Sequence, residues 1–265
     1  MFSLYLVALF VVLLVIRPTR KLALMLLPWL LFACCYDGMR FFPNYEFNDI
    51  DVRGLYEAEK SAFGVTAGGI RLTPNEWFAT HHCALADVFA GLFYLCWVPV
   101  PMAYALSLYV RGRRKEYLRF SVAFLFVNLI GFCGYYIHPA APPWYVMKHG
   151  FDPILNTPGN TAALGRFDAL VGIPIFERIY GNNANVFAAI PSLHAAYMII
   201  ATFYAAKYKE RRSVVALFAV ICVGIWWTAV YSWHHYIIDV LLGIATACFG
   251  LVLFEIATAL HRKTR

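Results

Sequence analysis

Long apolar runs divided by short basic clusters constrain this chain more than any other feature. Arg17, Arg20 and Lys21 form the first cluster, and Arg111, Arg113, Arg114 and Lys115 the second. Lys207, Lys209, Arg211 and Arg212 form the third, and Arg262, Lys263 and Arg265 the last. A helix that crosses a bilayer needs about 20 apolar residues, somewhat fewer where flanking side chains snorkel. Runs at roughly 1–16, 21–37, 86–110, 117–137, 191–207, 213–232 and 235–260 meet that need. With 62% hydrophobic residues and a mean hydropathy of +0.63, the chain exceeds what a soluble globular domain carries. The expected fold class is all-α, a polytopic membrane helical bundle forming one integral membrane domain over 1–265.

The net charge of +7 then has a topological meaning rather than pointing to nucleic acid. The positive-inside rule places all four basic clusters on the cytoplasmic face. The segments 38–85 and 138–190, which hold most of the acids, become loops on the outer face. Seven spans put the N-terminus outside and the C-terminus inside; the first run is short enough to lie in the interface instead, leaving six. Residues 1–16 lack a basic leading region and a small-residue cleavage site, so they read as a membrane helix rather than a signal peptide. The seven cysteines, at 34, 35, 83, 96, 133, 222 and 248, show no metal-binding spacing and are expected as small core residues.

Two polar stretches interrupt this pattern at the mouths of apolar runs, Ala189-Ile190-Pro191-Ser192-Leu193-His194 and Trp233-His234-His235-Tyr236-Ile237-Ile238-Asp239. Ionisable residues there are costly and mark a site by default. His235 and Asp239 stand four apart, which on a helix brings both onto one face, so the carboxylate holds one ring nitrogen and leaves the other free. Such a histidine is an oriented nucleophile or base. His194 follows a Pro at a helix start, where backbone N–H groups can face an anion, so a phosphate between the two mouths would meet donors and two histidines. Both runs travel from outside to inside, which brings His194 and His235 to one membrane face together with the loop that carries His138 and Lys148.

The outer loops add further candidates. Residues 56–63 and 75–83 read as short surface helices, with Trp77 and Phe78 as interfacial anchors and the pair His81 and His82 without an assigned role. Asp87 opens the next run as an acid facing a cavity, and Pro99 and Pro101 kink that span. The stretch from Tyr135 to Tyr145, rich in Pro and aromatics, reads as an interfacial belt with a rigid exit turn. That leaves His138, Lys148, Arg166 and Arg178 as basic residues scattered over an otherwise acidic face.

Pro191-Ser192-x-His194 and His235-x-x-x-Asp239, in this order and at one face, resemble the membrane branch of the type 2 phosphatidic acid phosphatase superfamily. The resemblance covers roughly 117–250 and implies a six-helix core, here spans two to seven at about 21–260, with the first helix as an addition. Ala141-Pro142-Pro143-Trp144-Tyr145, the Ala-Ile-Pro-Ser-Leu-His-Ala form of the first motif and the doubled His234-His235 are similar to the inositol phosphorylceramide synthase subset. That similarity implies transfer of phosphoinositol from a phosphatidylinositol-like phospholipid to a ceramide-type alcohol. It also implies His235 as nucleophile, Asp239 as its orienting partner and His194 as acid and base.

The phosphatase branch carries a Lys-x6-Arg-Pro motif and an Arg six residues before its nucleophilic His; here that position is Ala229 and the motif does not occur. Neutralisation of phosphate therefore falls to some of Lys148, Arg166, Arg178, His138 and His234, with Ser192 and Asp87 as further substrate-binding candidates. A phosphodiester carries one charge where a monoester carries two, so the missing arginines favour a diester. No carboxylate cluster calls for a metal, and no cofactor is expected. A hydrolase acting with water on a lipid phosphate or pyrophosphate uses the same residues; a dry cleft reaching the bilayer separates the transferase from it. A transporter reading predicts ionisable residues near mid-membrane or inverted repeats, and neither is evident. The partners expected are the bilayer and the two lipids, with the site on the non-cytoplasmic, periplasmic or lumenal, face.

Overall fold

A computed structural model describes residues 2–264; Met1 and Arg265, at the ends of the first apolar run and the last basic cluster, lie outside the described residues. The apolar runs become helices at the expected places. An N-terminal hairpin of α1 (Phe2–Val15) and α2 (Arg20–Gly38) is followed by an outer segment holding α3 (Arg53–Phe63), strands β1 (Val65–Ala67) and β2 (Ile70–Leu72), and α4 (Pro74–Thr80). Next come α5 (Ala84–Tyr94), α6 (Pro99–Val110) and the long α7 (Arg114–Ile137). A second outer segment carries α8 (Pro143–His149), α9 (Gly165–Val171) and α10 (Ile175–Tyr180). The chain ends in α11 (Leu193–Lys207), α12 (Arg212–Tyr231) and α13 (Ile237–Lys263).

Helices α2, α7, α12 and α13 are long and apolar enough to cross a membrane, and α5 with α6 forms a fifth candidate bent by 40°. The protein is thus an integral, multi-pass, all-α membrane bundle. The bend falls where Pro99 starts α6: a proline supplies no N–H and is accepted only in a first helical turn, so the chain breaks over 95–98 and restarts. Around the bend, Tyr94 and Trp97 turn into the bundle interior.

The central helix is α11. With 15 residues it rises only about 22 Å at 1.5 Å per residue, less than the hydrocarbon thickness of a bilayer. Four of its five alanines, at 195, 196, 201 and 205, are buried, and they let α12, α13 and α7 approach closely. The Pro-Ser-x-His motif at its head is therefore sunk inside the bundle.

At the opposite end, Arg111 and Arg113 meet Glu210 at 2.8 and 2.5 Å, which joins the α6–α7 and α11–α12 turns. Glu255 on α13 receives Arg119, Lys207 and the Tyr204 hydroxyl, tying α7 and α11 to it. The second and third basic clusters thus share one end of the molecule, and the two histidine motifs lie at the other.

Two local expectations need correction. The cysteines are not core residues: only Cys222 is buried, while Cys35, Cys83, Cys133 and Cys248 are exposed on the bundle exterior. Apolar surroundings in the sequence do not separate a core-facing from an outward-facing position when both solvents are apolar. Phe78 stacks edge-on against Tyr231 with ring centroids 5.2 Å apart, so it anchors α4 to the bundle. The glycines of the first outer segment build a β-hairpin: Ala67 pairs with Ile70, and Gly68 and Gly69 take the positive φ values that a two-residue turn requires.

Candidate active site

The turn between α12 and α13 carries His234 and His235. Helix α12 ends at Tyr231, Trp233 adopts a left-handed φ of 66°, and the N–H groups of His234 and His235 both donate to the Ala229 carbonyl, at 3.1 and 2.9 Å. Ala229, where the phosphatase branch has arginine, is fully buried. One turn into α13, Asp239 sets Oδ2 3.4 Å from His235 Nδ1 and accepts the Tyr236 N–H at 2.9 Å. Its backbone carbonyl accepts the Ser192 N–H at 3.0 Å, which links the head of α13 to the head of α11.

His194, in the first turn of α11, points Nδ1 at His235 Nε2 across 3.1 Å. Asp239, His235 and His194 form a relay in which the carboxylate addresses one ring nitrogen of His235 and leaves the other beside a second imidazole. Tyr94 lies parallel to the His194 ring at 5.0 Å and Trp97 sits 4.4 Å away, so aromatic faces fix its plane. His234 turns away from this relay. It stacks on Tyr180 at 4.2 Å, and its Nε2 donates to the Thr161 carbonyl at 3.1 Å. Burial, with His235 adding to it, pushes His234 down to about 3, so it is neutral near pH 7.

The relay opens into a cavity of about 940 Å³. Its inner reach is lined by Leu6 and Phe10 of α1 and by Leu26, Trp29, Phe32 and Ala33 of α2. Its rim carries Arg40, Asn160, Arg178, Asn182, Asn183 and Asn185. One end thus offers charge and amides, the other an apolar slot along the N-terminal hairpin.

Of the residues expected at the site, His194, His235, His234 and Arg178 line the cavity, and Asp239 stands directly behind His235. Ser192 is buried next to the relay, its hydroxyl without a protein partner among the described residues. The remaining candidates lie off the cavity wall. Arg166 binds Asp87 at 2.7 Å, and the Tyr231 hydroxyl donates to the same carboxylate oxygen at 2.7 Å. His138 meets Asp51 at 3.1 Å, and Lys148 is exposed on α8. At the head of α13 a carboxylate from α3, Glu59, accepts the N–H groups of Ile237 and Ile238, so these two donors are not open to a phosphate.

Sequence reading missed Tyr94, Trp97, Tyr180 and Arg40. The prolines at 99 and 101 pointed to the bend that turns Trp97 inward, but no local signal named its partner. The polar turn 181–185 comes to the cavity rim through Asn182, Asn183 and Asn185.

A multi-pass membrane bundle whose two histidines and aspartate meet at the head of its central helices defines a class of membrane enzymes acting on lipid phosphates. A family model described as the PAP2 superfamily matches residues 68–253, and the chain belongs to that family. It is 64% identical over 255 residues to a phosphoinositol dihydroceramide synthase of Bacteroides thetaiotaomicron, covering 96% of this chain and 82% of that protein. It is 30% identical over 180 residues to an inositol phosphorylceramide synthase of Candida albicans, covering 64% of this chain and 37% of the fungal protein. Identity to the inositol phosphorylceramide synthase catalytic subunit AUR1 of Saccharomyces cerevisiae is 27% over 249 residues, 93% of this chain and 59% of the relative. No solved structure matches the chain.

Proposed function

We propose that this protein transfers phosphoinositol from a phosphatidylinositol-like phospholipid to a ceramide-type alcohol within the membrane. The observation that carries the reading is the shape of the cavity. A slot lined by apolar side chains of α1 and α2 leads to the two histidines, which suits a lipid alcohol as acceptor better than water. The 64% identity to a phosphoinositol dihydroceramide synthase supports the same chemistry.

In the first step His235 Nε2 attacks the phosphodiester phosphorus, and the bond to the diacylglycerol oxygen breaks. His194, 3.1 Å from the attacking nitrogen, gives its proton to the departing alkoxide. Asp239 faces Nδ1 and stabilises the positive charge that grows on the ring. In the second step His194 takes the proton of the acceptor hydroxyl, whose oxygen attacks the phosphorylated histidine and restores His235. Arg178, at the rim of the same cavity, would meet the phosphate, while Arg40 on that rim is paired with Asp37 at 3.6 Å. The site faces the non-cytoplasmic side, opposite the basic clusters, and 1–265 acts as one domain.

Purified protein in detergent is given phosphatidylinositol with and without a ceramide, and the lipids are resolved by mass. Inositol phosphorylceramide and diacylglycerol should appear together and only with the ceramide. Release of free inositol phosphate at the same rate without it would make the protein a hydrolase.

A further inference from the structure

We infer that Glu59 and Asn75, two residues of the first outer segment, are positioning residues that grip the turn bearing His235 from both sides. The inference rests on the proposed reading of His235 as the attacking group.

Both side chains are fully buried, and neither spends its bonds on its own segment. Asn75 Nδ2 donates to the carbonyl of His235 at 2.9 Å and to that of Val230 at 2.8 Å, spanning the turn where α12 ends. Glu59 accepts the N–H of Ile237 on Oε1 at 2.9 Å and that of Ile238 on Oε2 at 3.1 Å, where α13 begins. The four backbone groups lie on residues 230, 235, 237 and 238, bracketing the histidine. With the Tyr236 N–H held by Asp239, three donors at the head of α13 end on carboxylates.

A buried carboxylate and amide are costly, the more so as Asn75 Oδ1 has no partner among the described residues, and an apolar filler would hold α3 and α4 against the bundle at less cost. What an apolar residue cannot do is set the peptide plane that follows His235 and those at the two ends of its turn. Asp239 can turn the imidazole, but it does not fix the backbone from which the side chain springs. Misplacement of about 1 Å at a reacting atom costs on the order of 10²-fold in rate, so this grip bears directly on attack. Asn75 and Glu59 lie on α4 and α3, joined by the short β-hairpin, so the outer segment acts as a brace closing over the nucleophile's turn.

Isosteric variants test it in the full-length protein, using phosphatidylinositol and a ceramide. Glu59→Gln keeps the volume but turns an amide NH₂ against an N–H donor, and Asn75→Asp puts oxygens against two carbonyls. Each should lower kcat by about 20-fold or more, with KM for both lipids within about twofold and a melting temperature close to the wild type. Glu57→Gln, on the exposed side of α3, should leave kcat unchanged. A kcat within about threefold of wild type in the folded variants, or a loss confined to KM, would overturn the inference. Should Glu59→Gln fail to fold, Asn75→Asp carries the test from the other side of the turn. Failure of both to fold would make the pair structural and overturn the inference as well. Wild-type protein that transfers no phosphoinositol would instead sink the functional reading, before any variant is compared.

Discussion

Gly243 of α13 lies against the carbonyl oxygen of Ser192 so closely that a Cβ on it would come within 2.0 Å of that oxygen. The same two helix heads are joined by the Ser192 N–H to Asp239 carbonyl bond at 3.0 Å. Close approach of α13 to α11 therefore sets the distance between His235 and His194. Gly243→Ala forces the heads apart, and overpacking of this kind costs about 1–3 kcal/mol. The expected result is a lower melting temperature and a loss of transfer of about tenfold or more. Full activity in the variant would show that the histidine spacing does not depend on this contact.

The two histidines should fail differently. His235→Ala removes the group that accepts phosphorus and should abolish transfer from every donor. His194→Ala removes proton transfer only, so a donor with a better leaving group than diacylglycerol should restore part of its activity. Equal rescue of both variants by such a donor would reject the assignment.

One oxygen of Asp239, Oδ2, faces both the Tyr236 N–H and His235 Nδ1, and Asp239→Asn retains size but offers them an uncharged, weaker acceptor. It also withdraws the charge that favours the imidazolium. Activity should fall on the order of 10²- to 10⁴-fold without vanishing. A variant within a few-fold of wild type would remove Asp239 from the relay.

Ala33 lines the apolar reach of the cavity between Trp29 and the relay. Ala33→Phe narrows the slot and should raise KM for a long-chain ceramide well above its effect on a short-chain one. Steady-state kinetics with the two acceptors provide the comparison. An equal change for both would place the acceptor's tail elsewhere.

Exposed residues on each end report the orientation. In a background without native cysteines, Glu57→Cys on α3 should react with an impermeant thiol reagent in intact cells, and Arg212→Cys at the start of α12 should react only after lysis. The reverse pattern would put the site on the cytoplasmic face.

The positions of the apolar helices, the meeting of the second and third basic clusters at one end and the approach of Asp239 to His235 were legible in the sequence. The first two follow from short-range rules, apolar run length against membrane thickness and the charge of turns; the third was expected from the four-residue return of a helix, but His235 precedes α13 and Asp239 reaches it from the first turn of that helix, past the N-cap Tyr236. Hydropathy could not tell which apolar face looks inward, because lipid and core reward the same side chains, and so Cys133 and Cys248 face outward while the alanines of α11 hold the centre. Nor could it say which ions were already paired: Asp87 takes Arg166, Asp51 takes His138, and Glu59 fills the head of α13. Those partners lie 79, 87 and 178 residues apart, and only the packing of helices around α11 brings them together. The contact between His194 and His235, 41 residues apart, belongs with them. Local spacing determined that each histidine would stand at a helix mouth, and the close approach of two helix heads decided that they would touch.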